Sequence, residues 1–228
     1  MFDWITKRKA SPVASALSTE YPMVSTGQGG FLAGTHVASN LGWRSVEALS
    51  VGDRVLTFDH GMQAIAEMHR ETMLVPEGDQ SDAQCPLLVP QDALHNRVPM
   101  WVMPDQGILL ESDLAVDAMG DPFVVVPACT LEGYRGIHRA CPGQRLELVM
   151  PRFAMDEVIY LEAGLLGFSP APSSLLDAAA TEDGLYRILH QDAARELIAN
   201  MMAEEAFWAA DVSSGPGISG EVQFVSAR

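Results

Sequence analysis

Short apolar runs recur between residues 31 and 169, and glycine, proline, aspartate or asparagine separates each run from the next. The runs are rich in valine, leucine, isoleucine, threonine and phenylalanine, which is typical of β-strands bounded by turns. No helical crossover pattern intervenes, so a compact, mainly β body is favoured over a parallel α/β sheet. Examples of the segments predicted as strands are THVAS, WRSVEAL, DRVLTF, MWVM, GILLES, FVVVPA, LELVM and EVIYLEAG.

The pattern changes after the proline- and serine-rich stretch SPAPSS at residues 169–174. Between residues 176 and 212 apolar side chains recur every fourth position, which predicts one or two amphipathic helices. The repeat consists of Leu185, Leu189, Ala193, Leu197 and Met201, with Ile188 and Trp208 near the same face.

Four apolar residues of this helical segment, Met201, Met202, Phe207 and Trp208, have two interpretations. In the simpler one they face the core. If the β body cannot cover the whole stripe, they form a surface for a protein partner.

The chain divides into four predicted segments. A tail at residues 1–29 precedes a β domain at residues 30–170, and a helical segment at residues 171–212 precedes a second tail at residues 213–228. The second tail ends in EVQFV, a strand-like sequence suited to adding to a sheet edge.

Charge narrows the range of partners. The chain has 228 residues, 48% of them hydrophobic, and a formal net charge of -16. The apolar share suffices for one large core, and an acidic surface repels nucleic acid and anionic lipid. Lys7, Arg8 and Lys9 form the one basic run, beside Phe2 and Trp4. The first tail is interpreted either as a docking peptide for another protein or as simple disorder, and any membrane association is expected to be indirect.

Targeting and cofactor signals are weak. The sequence shows neither a signal-peptide core nor an apolar span of about 18 residues, which predicts a soluble, cytoplasmic protein. The three cysteines lack CxxC spacing, so neither a disulfide framework nor a zinc site is indicated, and no cofactor is predicted. Glu77, Asp79 and Asp82 lie in the polar stretch PEGDQSDAQCP, which lacks the glycine and spacing of a calcium loop and is interpreted as a surface loop.

Four stretches in order carry a family resemblance: GFLAGTHVAS followed by GWRSVEALSVGDRVLTFDHG, then VPQDALHNRVPMWVMPDQGILLES, then VPACTLEG, then ELVMPRFAMDEVIYLEAGLLGFSP. Together they resemble the Hedgehog/intein (Hint) domain as it occurs in many bacterial proteins. The resemblance covers about residues 29–170 and implies the Hint β-fold with a C-terminal helical extension. Within it, Gly52 and Asp53 predict one tight turn, and Asp59, His60 and Gly61 predict a hairpin turn.

The resemblance also implies self-processing, in which a cysteine at the start of the domain attacks the preceding carbonyl to form a thioester, assisted by a histidine. In this sequence Gly30 stands at the cysteine position and Gln106 at the histidine position. Phe153, Ala154 and Met155 replace the basic and histidine character expected near EVIYLEAG. Glutamine cannot transfer a proton near neutral pH. The sequence therefore predicts a non-catalytic Hint domain, reused as a structural or accessory subunit that binds a protein through its first tail or its C-terminal helix.

Two alternatives stay open at this point. One is self-processing by a non-standard nucleophile, for which the candidates are Thr26, Thr35, Ser39 and Cys129. The other is a metal-dependent hydrolase built from His36, His60, His69 and nearby carboxylates, although their separations match no recognised ligand spacing. The polar residues predicted to line the relic cleft are Thr35, His36, Asp59, Asp105 and Gln106.

Overall fold

The computed structural model describes residues 30–74, 85–116, 120–140, 145–172 and 186–214. Fourteen strands and one α-helix lie within those residues. The elements are β1 (Phe31–Leu32), β2 (His36–Ser39), β3 (Gly42–Ser45), β4 (Arg54–Thr57), β5 (Gly61–Ala64), β6 (Glu67–Leu74), β7 (Leu87–Val89), β8 (Met100–Val102), β9 (Gly107–Glu111), β10 (Phe123–Pro127), β11 (His138–Arg139), β12 (Arg145–Arg152), β13 (Glu157–Tyr160), β14 (Leu166–Ser169) and α1 (Gln191–Ser214).

The strands form three antiparallel sheets in the described part of the chain. The largest has the order β10-β9-β14-β13-β4-β2-β3, with β5 paired to β4, and the others have the orders β1-β12-β6 and β11-β7-β8. The predicted mainly β fold with a C-terminal helix is confirmed. Every segment predicted as a strand contains one, but the second half of WRSVEAL is a 3-10 turn at Val46–Ala48.

Both predicted turns are present. Gly52 has φ of 92°, where a Cβ would be strained, and the Asp53 carboxylate accepts a hydrogen bond from the Ser50 N–H at 3.0 Å. In the β4–β5 hairpin, Thr57 pairs with Gly61, and the Thr57 hydroxyl donates to the Gly61 carbonyl at 3.0 Å. These turns are scaffold features that fix the register of the hairpin.

Strand β6 lies at an open edge, since among the described strands it pairs only with β12. Six of its eight residues are exposed, and Glu67, His69, Arg70 and Glu71 are four of them. The sequence EMHRETML has few apolar residues, which is why the apolar pattern does not predict this strand. The Arg70 guanidinium donates to the carbonyls of Glu47 and Leu49, at 2.9 and 3.0 Å, and ties the β6–β12 ribbon to the larger sheet.

The helix begins later than its apolar spacing predicts. Residues 186–190 are extended, because Val125 of β10 accepts a hydrogen bond from the Leu189 N–H and donates one to the Arg187 carbonyl, both at 2.9 Å. Pairing with a sheet therefore takes Ile188 and Leu189 out of the helix, although they fit its period. Leu185 lies outside the described residues.

The first half of α1 completes the core. Ala194, Leu197 and Ile198 are buried in the main apolar cluster, and Met201 packs at its margin. The core-facing interpretation is wrong for three later residues, because Met202, Phe207 and Trp208 are 43%, 66% and 58% exposed. The helix continues beyond the part of the β body that it packs on. It is also not long and apolar enough to cross a membrane, and no other helix within the described residues is.

Two side chains hold the middle of α1 to the body. The Tyr134 hydroxyl donates to Glu205 Oε1 at 2.7 Å, and the Arg135 guanidinium donates to the same oxygen through Nε at 3.0 Å and Nη2 at 2.6 Å. Burial raises the pKa of Tyr134 to about 12, and the hydrogen bond to Glu205 contributes to the rise.

This contact predicts a loss of stability in alkali. An unfolded tyrosine has a pKa of about 10. The folded state holds the proton more tightly, so the stabilisation is present below pH ~10 and is lost as the pH rises towards 12. We expect the free energy of unfolding, measured by urea titration, to fall between pH 10 and 12, and Tyr134→Phe to make that fall shallower. Equal slopes for wild type and variant would contradict the assignment.

Candidate functional site

Gly30 directly precedes β1 and is buried. Strand β1 pairs with β12 through Phe31 and Val149 and through Leu32 and Leu148. A Cβ placed on Gly30 would lie 3.2 Å from the Leu148 Cβ, so Leu148 would have to give way by a few tenths of an ångström. The position at which the resemblance expects a cysteine is therefore tightly packed as well as lacking a nucleophile.

Gln106 ends the turn that leads into β9 and is 1% exposed. Its side-chain Nε2 donates to the Phe168 carbonyl at 2.8 Å and to the Gly107 carbonyl at 2.9 Å. Its backbone N–H donates to Met103, and its carbonyl accepts from Ala128. One N–H group of the amide thus joins the turn to β14, the other binds the start of β9, and Oε1 is buried with no hydrogen-bond partner among the described residues.

The fold brings the residue after Gly30 and the Gln106 side chain to neighbouring residues of β14. The Phe31 ring lies against Gly167 so closely that a Cβ on Gly167 would be 2.7 Å from the ring Cε1. The next residue, Phe168, supplies the carbonyl that Gln106 binds. Phe31, the residue after Gly30, and the Gln106 side chain thus contact adjacent residues of β14.

Two of the three hydroxyl candidates lie near the first hairpin. Ser39 is buried, and its Oγ donates to the Gly42 carbonyl at 2.7 Å and accepts from the Leu41 N–H at 3.2 Å, so it is occupied in the β2–β3 turn. Thr35 is half-buried and lines a cleft of 280 Å³ together with His36 and Trp101. Thr26 lies outside the described residues.

Cys129 lies beside the Gln106 turn, because its backbone N–H donates to the Pro104 carbonyl at 2.8 Å. Its thiol is an unsuitable nucleophile. Burial raises the pKa of the Cys129 thiol, and the neighbouring Asp105 carboxylate adds to the rise. A thiol held protonated in this way is unreactive at neutral pH. Asp105 itself is exposed at the outside of the turn.

The three histidines of the metal hypothesis do not converge. His36 Nδ1 lies 2.7 Å from Glu162, His60 Nδ1 lies 3.0 Å from Glu157, and His69 Nε2 lies 3.9 Å from Glu71. Among the residues that the structure describes, no group of three or more metal-binding side chains is found. Each histidine instead has its own carboxylate partner. The acidic stretch with Glu77, Asp79 and Asp82 lies outside those residues.

A polar cluster that the sequence analysis did not identify surrounds the β4–β5 turn. Glu157 is 1% exposed and its carboxylate is contacted by His60. The Tyr186 hydroxyl donates to Asp59 at 2.5 Å and accepts from the Val158 N–H at 3.3 Å. Burial and the bond to Asp59 raise the pKa of Tyr186. The sequence signal for this cluster is Glu157, a glutamate at the start of an apolar strand. Such a position does not reveal that its partner is His60, 97 residues earlier in the chain.

The described chain is thus an antiparallel β-domain whose first strand and Gln106 turn meet at one inner strand. A protein-family model for the Hint domain matches residues 29–165. Since the match covers more than half of the chain, the chain belongs to the Hint domain family.

A comparison with solved structures matches the chain to an intein and to an intein-like domain, both at low identity. A splice-inactive variant of the AceL NrdHF class 3 split intein has 14% identity and a TM-score of 0.42, with 63% of this chain and 99% of that one covered. An intein-like domain from Clostridium thermocellum has 12% identity and a TM-score of 0.37, with 61% and 98% covered. No curated protein matches the sequence.

Proposed function

We propose that this chain is a Hint domain without self-processing chemistry, which serves as a structural or accessory subunit that binds another protein. The observation that carries the proposal is the state of the Gln106 side chain. Its two N–H groups are engaged by the carbonyls of Phe168 and Gly107. The group at the histidine position is therefore a structural crosslink, with no donor left over for a departing amide nitrogen.

The position of the nucleophile supports the same proposal. Gly30 has no side chain, and β12 occupies the space into which one would project. General acid or base assistance contributes typically 10² to 10⁴ to a rate, and the thiolate is the attacking group in the chemistry that the resemblance implies. A site that lacks both groups retains little means of cleaving a peptide bond.

The surface of α1 supports the binding part of the proposal. Met202 and Phe207 are exposed, and the Phe207 ring packs edge to face on Trp208, with centroids 5.6 Å apart. Aromatic and methionine side chains are enriched in protein interfaces. This apolar face is suited to a protein partner, and the net charge of -16 disfavours nucleic acid.

The proposal predicts an uncut chain. The full chain, fused behind a reporter domain, is purified and incubated with excess thiol or with hydroxylamine, and its intact mass is followed for days. We expect the mass of the uncut fusion under both conditions, because no thioester or ester forms. Release of the reporter by a break next to Gly30 would overturn the proposed loss of chemistry.

A second candidate function is self-processing through Thr35. The observation that favours it is the cleft that Thr35 shares with His36, whose Nδ1 is held at 2.7 Å by Glu162. An ester formed at Thr35 would break on hydroxylamine treatment between residues 34 and 35. In the same experiment this candidate predicts a cleavage product that Thr35→Ala abolishes and that Gln63→Leu, a change on the exposed β4–β5 hairpin, does not.

A further inference from the structure

A groove of 490 Å³ lies between α1 and strands β9, β10 and β14. Phe58 and Phe123 form part of its wall, edge to face with ring centroids 5.1 Å apart, and Met201 and Trp208 face it from α1. The volume falls in the range of about 300–1,000 Å³ that is usual for ligand sites. Aromatic walls of this kind favour an occupant with large apolar side chains.

The polar part of the groove is acidic. Glu111 at the end of β9 and Glu204 on α1 are both exposed, and neither side chain has a hydrogen-bond or ion-pair partner among the described residues. The positive charge of Arg135, which also lines the groove, is engaged by Glu205 at 2.6 Å. The charges in the groove that are not engaged in an ion pair are therefore negative, and they favour a cationic occupant.

The chain itself contains a segment of this chemistry. We propose that the groove binds residues 1–10 of the same chain, MFDWITKRKA. Phe2 and Trp4 enter the aromatic part, and the basic run at residues 7–9 lies against Glu111 and Glu204. That run contains both lysines of the protein. This inference is independent of whether self-processing has been lost.

Chain length permits this contact. Residues 11–29 connect the segment to Gly30 and can span ~65 Å when extended. A compact chain of this size has a radius of gyration of only ~17 Å, so any face is within reach. Because the segment is tethered, its effective concentration at the groove is high, and a modest intrinsic affinity suffices. The segment at residues 215–228 is a poorer match, since it has one arginine and one glutamate.

The test is photo-crosslinking in the full chain. Trp4 is replaced by p-benzoylphenylalanine, the protein is irradiated at low salt, and the crosslinked peptides are mapped by mass spectrometry. We expect crosslinks within one chain to Met201, Phe123 or their neighbours in the groove. A mixture of isotope-labelled and unlabelled protein separates crosslinks within a chain from those between chains. The same photoreactive residue at Tyr21 is the matched control and is expected to give no groove crosslink.

Charge reversal provides the second readout. Lys7→Glu, Arg8→Glu and Lys9→Glu together leave the folded body unaltered and should lower the yield of groove crosslinks at least fivefold. Glu111→Lys with Glu204→Lys should do the same, and combining the two sets should restore most of the yield. The proposal is overturned if position 4 crosslinks to other surfaces or to residues 215–228, or if its crosslinks form only between chains. It is also overturned if the charge reversal of residues 7–9 leaves the yield of groove crosslinks unchanged.

Discussion

Gln106→Leu is expected to lower the free energy of unfolding by about 3–5 kcal/mol, although leucine has a similar size. The change removes both donors from the carbonyls of Phe168 and Gly107 and leaves these acceptors buried. Loss of a partner from a buried polar group costs about 1–3 kcal/mol, and two carbonyls each lose one here. Loss of the unpartnered Oε1 from the interior offsets part of that cost.

Gln63→Leu is the matched control for this substitution. The Gln63 amide also donates to a backbone carbonyl, that of His60 at 2.7 Å, but it does so on an exposed hairpin where water can replace it. We expect a change below about 1 kcal/mol. Urea unfolding monitored by circular dichroism measures both variants. If Gln106→Leu were as mild as Gln63→Leu, the crosslinking role of Gln106 would have to be abandoned.

Gly167→Ala is the second change with a large expected effect, about 2–4 kcal/mol. The new methyl group would lie 2.7 and 2.9 Å from two atoms of the Phe31 ring and 3.1 Å from Leu161 Cδ1. Overpacking of a filled core costs typically about 1–3 kcal/mol, and a ring pressed between two strands has little room to move. Displacement of Phe31 would also loosen β1, and with it Gly30.

A graded comparison separates this clash from a general effect of alanine. The new methyl group of Gly30→Ala would make one tight contact, with the Leu148 Cβ at 3.2 Å, and should cost less than that of Gly167→Ala. In the background of Gly167→Ala, Phe31→Leu removes the clashing ring atoms and should recover part of the lost stability, a coupling that a double-mutant cycle measures. Strictly additive effects of the two changes would show that the ring contact is not the cause.

The sequence predicts the fold best where the strands are apolar. The runs FVVVPA and GILLES became β10 and β9 because both faces of these strands are buried. Strands β1, β5, β6, β7, β11 and β14 are not among the segments named from the sequence. Polar residues dominate β6 and β11, which are held by pairing, and the other four are only two to four residues long. The start of α1 was missed for the related reason that a hydrogen-bonded contact with Val125 overrode the local helical period.

The sequence predicts only part of the candidate site. The order of motifs predicts that Gly30 and Gln106 occupy the positions of the cysteine and the histidine. What the amide of Gln106 does depends on a carbonyl 62 residues further along the chain, and no local pattern encodes such a pair. The same holds for His60 and Glu157, which are joined only by the pairing of β4 with β13.

The exposed edge formed by β6 has a consequence for how the protein behaves in a crowded solution. An unpaired strand edge is a template on which another chain can add a strand. Here an incoming strand would have to strip water from the charges of Glu67, Arg70 and Glu71 before any backbone bond formed. Stepwise growth into fibrils from this edge is therefore disfavoured at its first step at neutral pH.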